Sequence, residues 1–119
     1  MRYTKEHHWL RAENGFVVIG ITPFAVAQLG TLVFVELPRT GDTIALGDEV
    51  AVVESSKAVS DISAPISGDV VAINTALAGN PSLANDDPMG NGWLFKMSVA
   101  NPTEIDHMMD DAGYTAFTG

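Results

Sequence analysis

Cysteine is absent from the 119 residues. That excludes disulfides and thiolate-bound metals, so any thiol chemistry must come from a group attached to the chain. No apolar run approaches the ~18 residues that cross a bilayer, which excludes a membrane-spanning helix. Basic residues are scarce: six Lys and Arg stand against fifteen Asp and Glu, for a net charge of −9. None of the six clusters with another, so the basic stripe that phosphate binding needs is missing and nucleic acid is not expected as a partner. The acidic surface favours encounters with basic patches on other proteins, or serves only solubility. The start, Met1-Arg2-Tyr3-Thr4-Lys5, has neither an apolar signal core nor an Arg/Ser-rich leader. The expectation is a cytoplasmic protein or a trimmed mature form.

Catalytic constellations are equally thin. His7, His8 and His107 are the only imidazoles. Read as strand neighbours, His7 and His8 point to opposite faces, and His107 has no His or Cys near it, so no metal site is expected. No serine sits in a Gly-x-Ser-x-Gly turn, no Gly-x-Gly-x-x-Gly or Walker lysine occurs, and the carboxylates are dispersed. The residues alone identify no catalytic group.

What is present is a β-rich pattern. With 46% hydrophobic and 18% charged residues the chain is globular, and its length suits one domain spanning residues 1–119. Tyr3–Leu10 and Phe16–Ile21 read as strands around the hairpin signal Asn14-Gly15. Thr22 as N-cap, Pro23 at the first helical position and Gly30 as the stop predict two turns of helix. Thr31–Leu37 is β-branched and apolar and ends at Pro38. Residues 80–88 read as a loop with one helical turn, and Gly92–Val99 as another strand. The spacing of Ile105, Met108 and Met109 predicts a helical tail at about 102–112 with Gly113 as stop and Glu104 on its wet side. Together these predict a mainly β fold, a flattened barrel or sandwich with short flanking helices.

A unit Gly-Asp-x-aliphatic-Ala-aliphatic recurs at Gly41, Gly47 and Gly68, each read as a turn feeding a strand. Between the second and third lies Glu54-Ser55-Ser56-Lys57-Ala58, holding one of only three lysines. A turn lysine is ordinarily a solvated charge. Here the neighbours are small, the flanking runs are unusually apolar and the turn lacks glycine. A rigid hairpin of this kind would hold the amine out for covalent modification by another enzyme.

The chain resembles the H-protein family of the glycine cleavage system. The resemblance is carried by Tyr3-Thr4-Lys5-Glu6-His7, Gly20-Ile21-Thr22, Gln28-Leu29-Gly30, Val33-Phe34-Val35-Glu36-Leu37-Pro38, Val53-Glu54-Ser55 with Lys57-Ala58, Ser60-Asp61, Ala64-Pro65, Ser67-Gly68 and Gly92-Trp93-Leu94-Phe95-Lys96. The Glu54-Ser-x-Lys57-Ala58 core with Gly68 eleven residues on is also similar to the wider lipoyl-domain pattern.

The resemblance implies a hybrid barrel of the lipoyl-domain type, with lipoic acid in amide linkage to Lys57. Glu54, Ser55, Ala58 and Gly68 would support the modification turn. The implied partners are a pyridoxal-phosphate glycine decarboxylase, a tetrahydrofolate-dependent aminomethyltransferase, dihydrolipoamide dehydrogenase and a lipoate-attaching enzyme, with the carrier itself a monomer. The carrier would have no catalysis of its own, and the chemistry would belong to the cofactor. The loaded arm would fold into a cleft near Glu6-His7-His8-Trp9, with His8, Gln28 and Asp61 as candidate lining residues. His8 stands where the family commonly has a carboxylate, Pro23 where an acidic residue is common, and Ser56 where an apolar one is usual. Other readings are an H-like lipoyl carrier for lipoate relay or sulfur oxidation, and a non-lipoylated β-rich interaction module. A biotin carrier fits less well, because that family favours Met on both sides of its lysine.

Overall fold

The computed structural model describes residues 1–119. Nine strands dominate: β1 (Arg2–Tyr3), β2 (His8–Glu13), β3 (Phe16–Ile21), β4 (Leu32–Glu36), β5 (Thr43–Ile44), β6 (Glu49–Ser55), β7 (Val59–Ser63), β8 (Gly68–Ile73) and β9 (Phe95–Met97). They form two open antiparallel sheets, one ordered β1-β2-β3-β9-β8-β5 and one β4-β6-β7. The mainly β expectation therefore holds, as a sandwich rather than a closed barrel. Alternate side chains of β3 (Val17, Ile19, Ile21) meet Val35, Val53 and Ile62 of the smaller sheet in one buried cluster. No helix is long and apolar enough to cross a membrane.

Local chemistry explains several elements. Asn14 (φ 48°) and Gly15 (φ 83°) both take positive φ, which suits a tight turn joining the right-twisted strands β2 and β3. Helix α1 (Pro23–Leu29) starts where Thr22 Oγ1 accepts the Ala25 N–H at 3.3 Å, and ends where Gly30 donates its N–H to the Val26 carbonyl at 2.9 Å. Trp9 faces Gly20 across the β2–β3 ladder. A Cβ on Gly20 would come within 2.5 Å of the indole, so the missing side chain is what seats the ring.

Three expectations change. The run Tyr3–Leu10 is not one strand. Its ends pair with each other (Arg2↔Leu10, Tyr3↔Trp9) around a turn in which His7 donates its N–H to the Thr4 carbonyl at 3.1 Å and has φ 68°. Periodicity missed this because the turn carries no Gly or Pro. The Gly-Asp repeat divides. In the first two copies Asp42 and Asp48 each accept the backbone N–H of the residue three earlier (Arg39 at 3.1 Å, Ala45 at 2.9 Å), closing like turns. The third copy opens strand β8 instead.

The tail is two helices, α4 (Thr103–Asp106) and α5 (Asp111–Thr118). Two earlier short helices, α2 (Ala76–Gly79) and α3 (Leu83–Asp86), precede β9; α3 is the one turn expected within residues 80–88, and α2 lies just before that stretch. Met109 leaves the helical path to pair its backbone with Tyr3 at 2.8 and 3.1 Å. Asp110 then restarts the helix by accepting the Gly113 N–H at 2.8 Å, so Gly113 lies in the first turn of α5 and stops nothing. Glu104, expected on the wet side, accepts from the Ser67 N–H at 2.8 Å and the Ser67 hydroxyl at 3.0 Å, tying α4 to the sandwich.

Candidate functional site

The β6–β7 hairpin places Lys57 at its apex. Strand β6 is the central strand of its sheet and is pinned by Val53, which is fully buried. At the turn Ser55 folds inward. Its hydroxyl oxygen accepts the N–H groups of Lys57 (3.3 Å) and Ala58 (3.1 Å), while its own N–H donates to the Ala58 carbonyl at 2.8 Å. A serine can close such a turn because its short side chain mimics a backbone acceptor. Glycine is therefore not needed, and the apex is held by bonds spanning four residues.

Ser56 and Lys57 are exposed. The two ion pairs of the molecule, Arg11–Glu13 and Lys96–Glu13, leave the Lys57 amine uninvolved. Its side chain passes the C-terminal end of α1, where a Cβ on Gly30 would lie 3.1 Å from Lys57 Cε. Phe34, Glu54 and Val59 stand opposite one another across β4, β6 and β7, so all three share one face. Phe34 and Val59 are exposed large apolar side chains, and Glu54 is half-buried between them. The amine thus rises beside an apolar surface carrying one carboxylate.

Gly68 plays a different part from the one expected. It lies at the start of β8, paired with Ile44, in the sheet that the hairpin does not belong to. A Cβ there would overlap the backbone carbonyl oxygen of Ser98. Gly68 is required by close strand packing rather than by the modification turn.

A cavity of about 200 Å³ lies between α1, β7 and the Thr4–His7 turn, and its walls include Glu6, His8, Ala25, Leu29 and Asp61. A second, of about 340 Å³, continues past Glu6, His8 and Ser63 towards Leu46 and Glu104. The shared residues make the two a single groove. The structure thus brings His8 and Asp61 together. Gln28 does not line this groove. It is exposed on α1, and Ala25 and Leu29 supply that helix's contribution. Trp9 belongs to the interior, its indole N–H donating to the carbonyls of Ile21 (3.1 Å) and Pro88 (2.8 Å). His7 turns away to hydrogen-bond the Tyr114 hydroxyl at 2.7 Å.

His8 is 5% exposed. Burial pushes its imidazole down to about 4, with the Glu6 charge opposing that shift and His7 adding to it. The ring is therefore neutral near pH 7. Glu6, within the segment where the resemblance puts the cleft but not among its candidate lining residues, lines the groove beside His8 because of the Thr4–His7 turn.

The amine at an apex and the groove beneath α1 suit a tethered group that is presented and then sheltered. Comparison with known proteins points the same way. The family model described as "Glycine cleavage H-protein" matches residues 1–119. The chain is 51% identical over 117 residues to a glycine cleavage system H protein of Methylocella silvestris, covering 98% of this chain and 94% of that one. A relative of the same description from Symbiobacterium thermophilum is 48% identical over 118 residues, with 99% and 92% covered. Among solved structures, a glycine cleavage system H protein from Mycobacterium marinum superposes with a TM-score of 0.89 at 37% identity, over 98% of this chain and 94% of that one.

Proposed function

The chain belongs to the glycine cleavage H-protein family, and we propose that lipoic acid in amide linkage to Lys57 is the group through which it works. It is a lipoyl carrier of the glycine cleavage system. The observation that carries the assignment of residue 57 is the exposed, ion-pair-free amine on an apex closed by Ser55. Held on Lys57, the group would supply a disulfide for the aminomethyl carbon that remains when glycine loses carbon dioxide, with a C–S bond replacing the S–S bond and the second sulfur left as a thiol.

This chain contributes placement. Ser55 and the β6 and β7 ladder hold the amine outward, and Gly30 leaves room for the lysine stem to lie along α1. The Phe34–Glu54–Val59 face is what the lipoate-attaching enzyme reads. The same apex enters in turn the pyridoxal-phosphate decarboxylase, the tetrahydrofolate-dependent aminomethyltransferase and dihydrolipoamide dehydrogenase. The groove fits a sheltered arm, since Ile21, Ala25, Leu29 and Ile62 give it apolar lining and Asp61 and Glu6 add carboxylates. From Lys57 to Asp61 is four residues of chain, roughly 13 Å at ~3.3 Å per strand residue. In this reading the carrier presents and shelters the arm and leaves catalysis to its partners, which its membership of the glycine cleavage H-protein family supports.

The test is substitution at the apex. Lys57→Arg keeps the charge and the fold but cannot form this amide. It should stay unmodified when expressed with lipoate and a competent ligase, with an unchanged melting temperature. A lipoyl mass on the arginine variant would move the attachment site elsewhere.

A further inference from the structure

Lys57 stands beside the C-terminal end of α1, where a free amine needs explaining. The last carbonyls of a helix lack partners within it and attract cations. No basic residue of α1 itself lies in that turn. The stem of Lys57 lies there instead: a Cβ on Gly30 would stand 3.1 Å from its Cε and 3.6 Å from its Nζ. A lysine so placed can cap those carbonyls. Yet the only lysine amine with a hydrogen bond is that of Lys96, to Glu13, and Lys57 joins neither ion pair.

A side chain from α3 accounts for this. Asn85 donates its amide N–H to the Gly30 carbonyl at 2.8 Å, and its amide oxygen accepts the Leu32 N–H at 2.8 Å. It pairs with the backbone on both sides of Thr31, as a neighbouring strand would. The reverse orientation of the amide would set donor against donor, so the partners fix it. Leu32 lies opposite Ser55 in the β4–β6 ladder, and the pairing slips between Leu32 and Phe34. The first residue of β4 therefore takes its anchor from Asn85, one cross-strand step from the serine that closes the apex. Ala84, fully buried, seats α3 behind it.

Resting on the carrier reading above, we infer that Asn85 is a positioning residue for attachment at Lys57. It occupies the Gly30 carbonyl, which would otherwise hold the amine down on α1, and it steadies the apex through Leu32 and Ser55. Attachment joins the amine to a lipoyl group activated as a mixed anhydride with a phosphate. The nitrogen gives up one proton, attacks the acyl carbon and loses a second proton as the C–N bond of the amide is completed. The C–O bond to the phosphate breaks, and the phosphate leaves with the electron pair. An amine bound to a carbonyl must break that bond before it can react. Asn85 touches none of the reacting atoms and acts through the backbone on either side of Thr31.

The experiment treats the lipoate-free full chain with a limiting amount of a water-soluble active acetate ester, with no enzyme present. Peptide mass mapping then reads acetylation of Lys57 against Lys5 in the same molecules. Lys5 is exposed and outside both ion pairs, so it is the internal reference. In the unsubstituted chain Lys57 should react at least as fast as Lys5. Asn85→Ala should lower that ratio roughly fivefold, the scale of one net hydrogen bond. Ser82→Ala, which removes a hydroxyl bond to Asn80 without touching Gly30 or Leu32, should leave it unchanged. So should guanidinium chloride that brings the unsubstituted chain to the melting temperature of Asn85→Ala, since lower stability alone does not select one lysine. Lipoate attachment by the ligase should fall by a similar factor in kcat with KM unchanged.

An unchanged ratio in Asn85→Ala, or an equal fall in guanidinium chloride, would overturn the inference. So would a Lys57 that reacts several-fold slower than Lys5 before any substitution, a result that counts even if Asn85→Ala does not fold. If the ligase loads Lys57 normally and the ratio does not move, this inference fails and the carrier reading stands. If the ratio moves but the ligase never loads Lys57, the hold of Asn85 on the amine stands and the carrier reading fails.

Discussion

The hairpin apex and the groove are neighbours built on opposite plans. The apex is closed by hydrogen bonds between residues 55 and 58. The groove draws its walls from the Thr4–His7 turn, β2, β3, α1 and β7, with its far end at Glu104. One is local and exposed, the other long-range and partly buried. Acceptance of the cofactor therefore depends on a short stretch of chain and its brace at Asn85, whereas sheltering the loaded arm depends on the whole sandwich. The two functions should be separable by mutation.

The largest expected separation comes from Gly68→Val. Its side chain would collide with the Ser98 carbonyl, and β8 cannot retreat without disturbing β9 and β5. We expect a loss of about 3 kcal/mol or more, read as a lower urea midpoint. Molecules that remain folded should still accept lipoate on Lys57, because the collision lies in the other sheet. A normal midpoint with lost modification would return Gly68 to the modification turn and dissolve the comparison.

Acid should act on the groove next. His8 has a folded-state value of about 4 against 6.5 for the free side chain, so the unfolded chain binds the proton more readily. Stability from this residue is complete above pH 6.5 and is lost as the pH falls towards 4. The full loss is about 3 kcal/mol. Chemical denaturation at pH 7, 5.5 and 4 should show the decline, and His8→Gln should flatten it over that window. An identical decline in the variant would assign the acid sensitivity to other groups.

These contrasts also explain what could be read in advance. The apex was legible because Glu54-Ser55-Ser56-Lys57-Ala58 contains its own closing group and lies between apolar runs. Helix α1 was legible because Thr22, Pro23 and Gly30 are local start and stop signals. The groove was only partly so. His8 and Asp61 arrive there through pairings that no short window contains, and Gln28 was assigned to it although α1 presents Ala25 and Leu29 instead. The tail misled for a similar reason. Its helical spacing is real, but the Met109–Tyr3 backbone pairing, more than a hundred residues apart in sequence, breaks the helix where Asp110 can restart it.

The smallest effect should come from Ser55→Ala. Two N–H groups at the apex would lose their acceptor, costing about 1 kcal/mol. The rate of lipoate attachment should fall a few-fold through a looser apex, and the lifetime of an aminomethyl group already loaded on the arm should stay the same. A shortened lifetime in this variant would show that apex and groove are coupled after all.

The central claim is that residue 57 bears the arm, and peptide mass mapping tests it most directly. Protein produced with lipoate and its ligase should carry one lipoyl amide, confined to the peptide containing Lys57, and none when lipoate is withheld. An unmodified residue 57 under full supply, or a lipoyl group on Lys5 or Lys96 instead, would contradict the account.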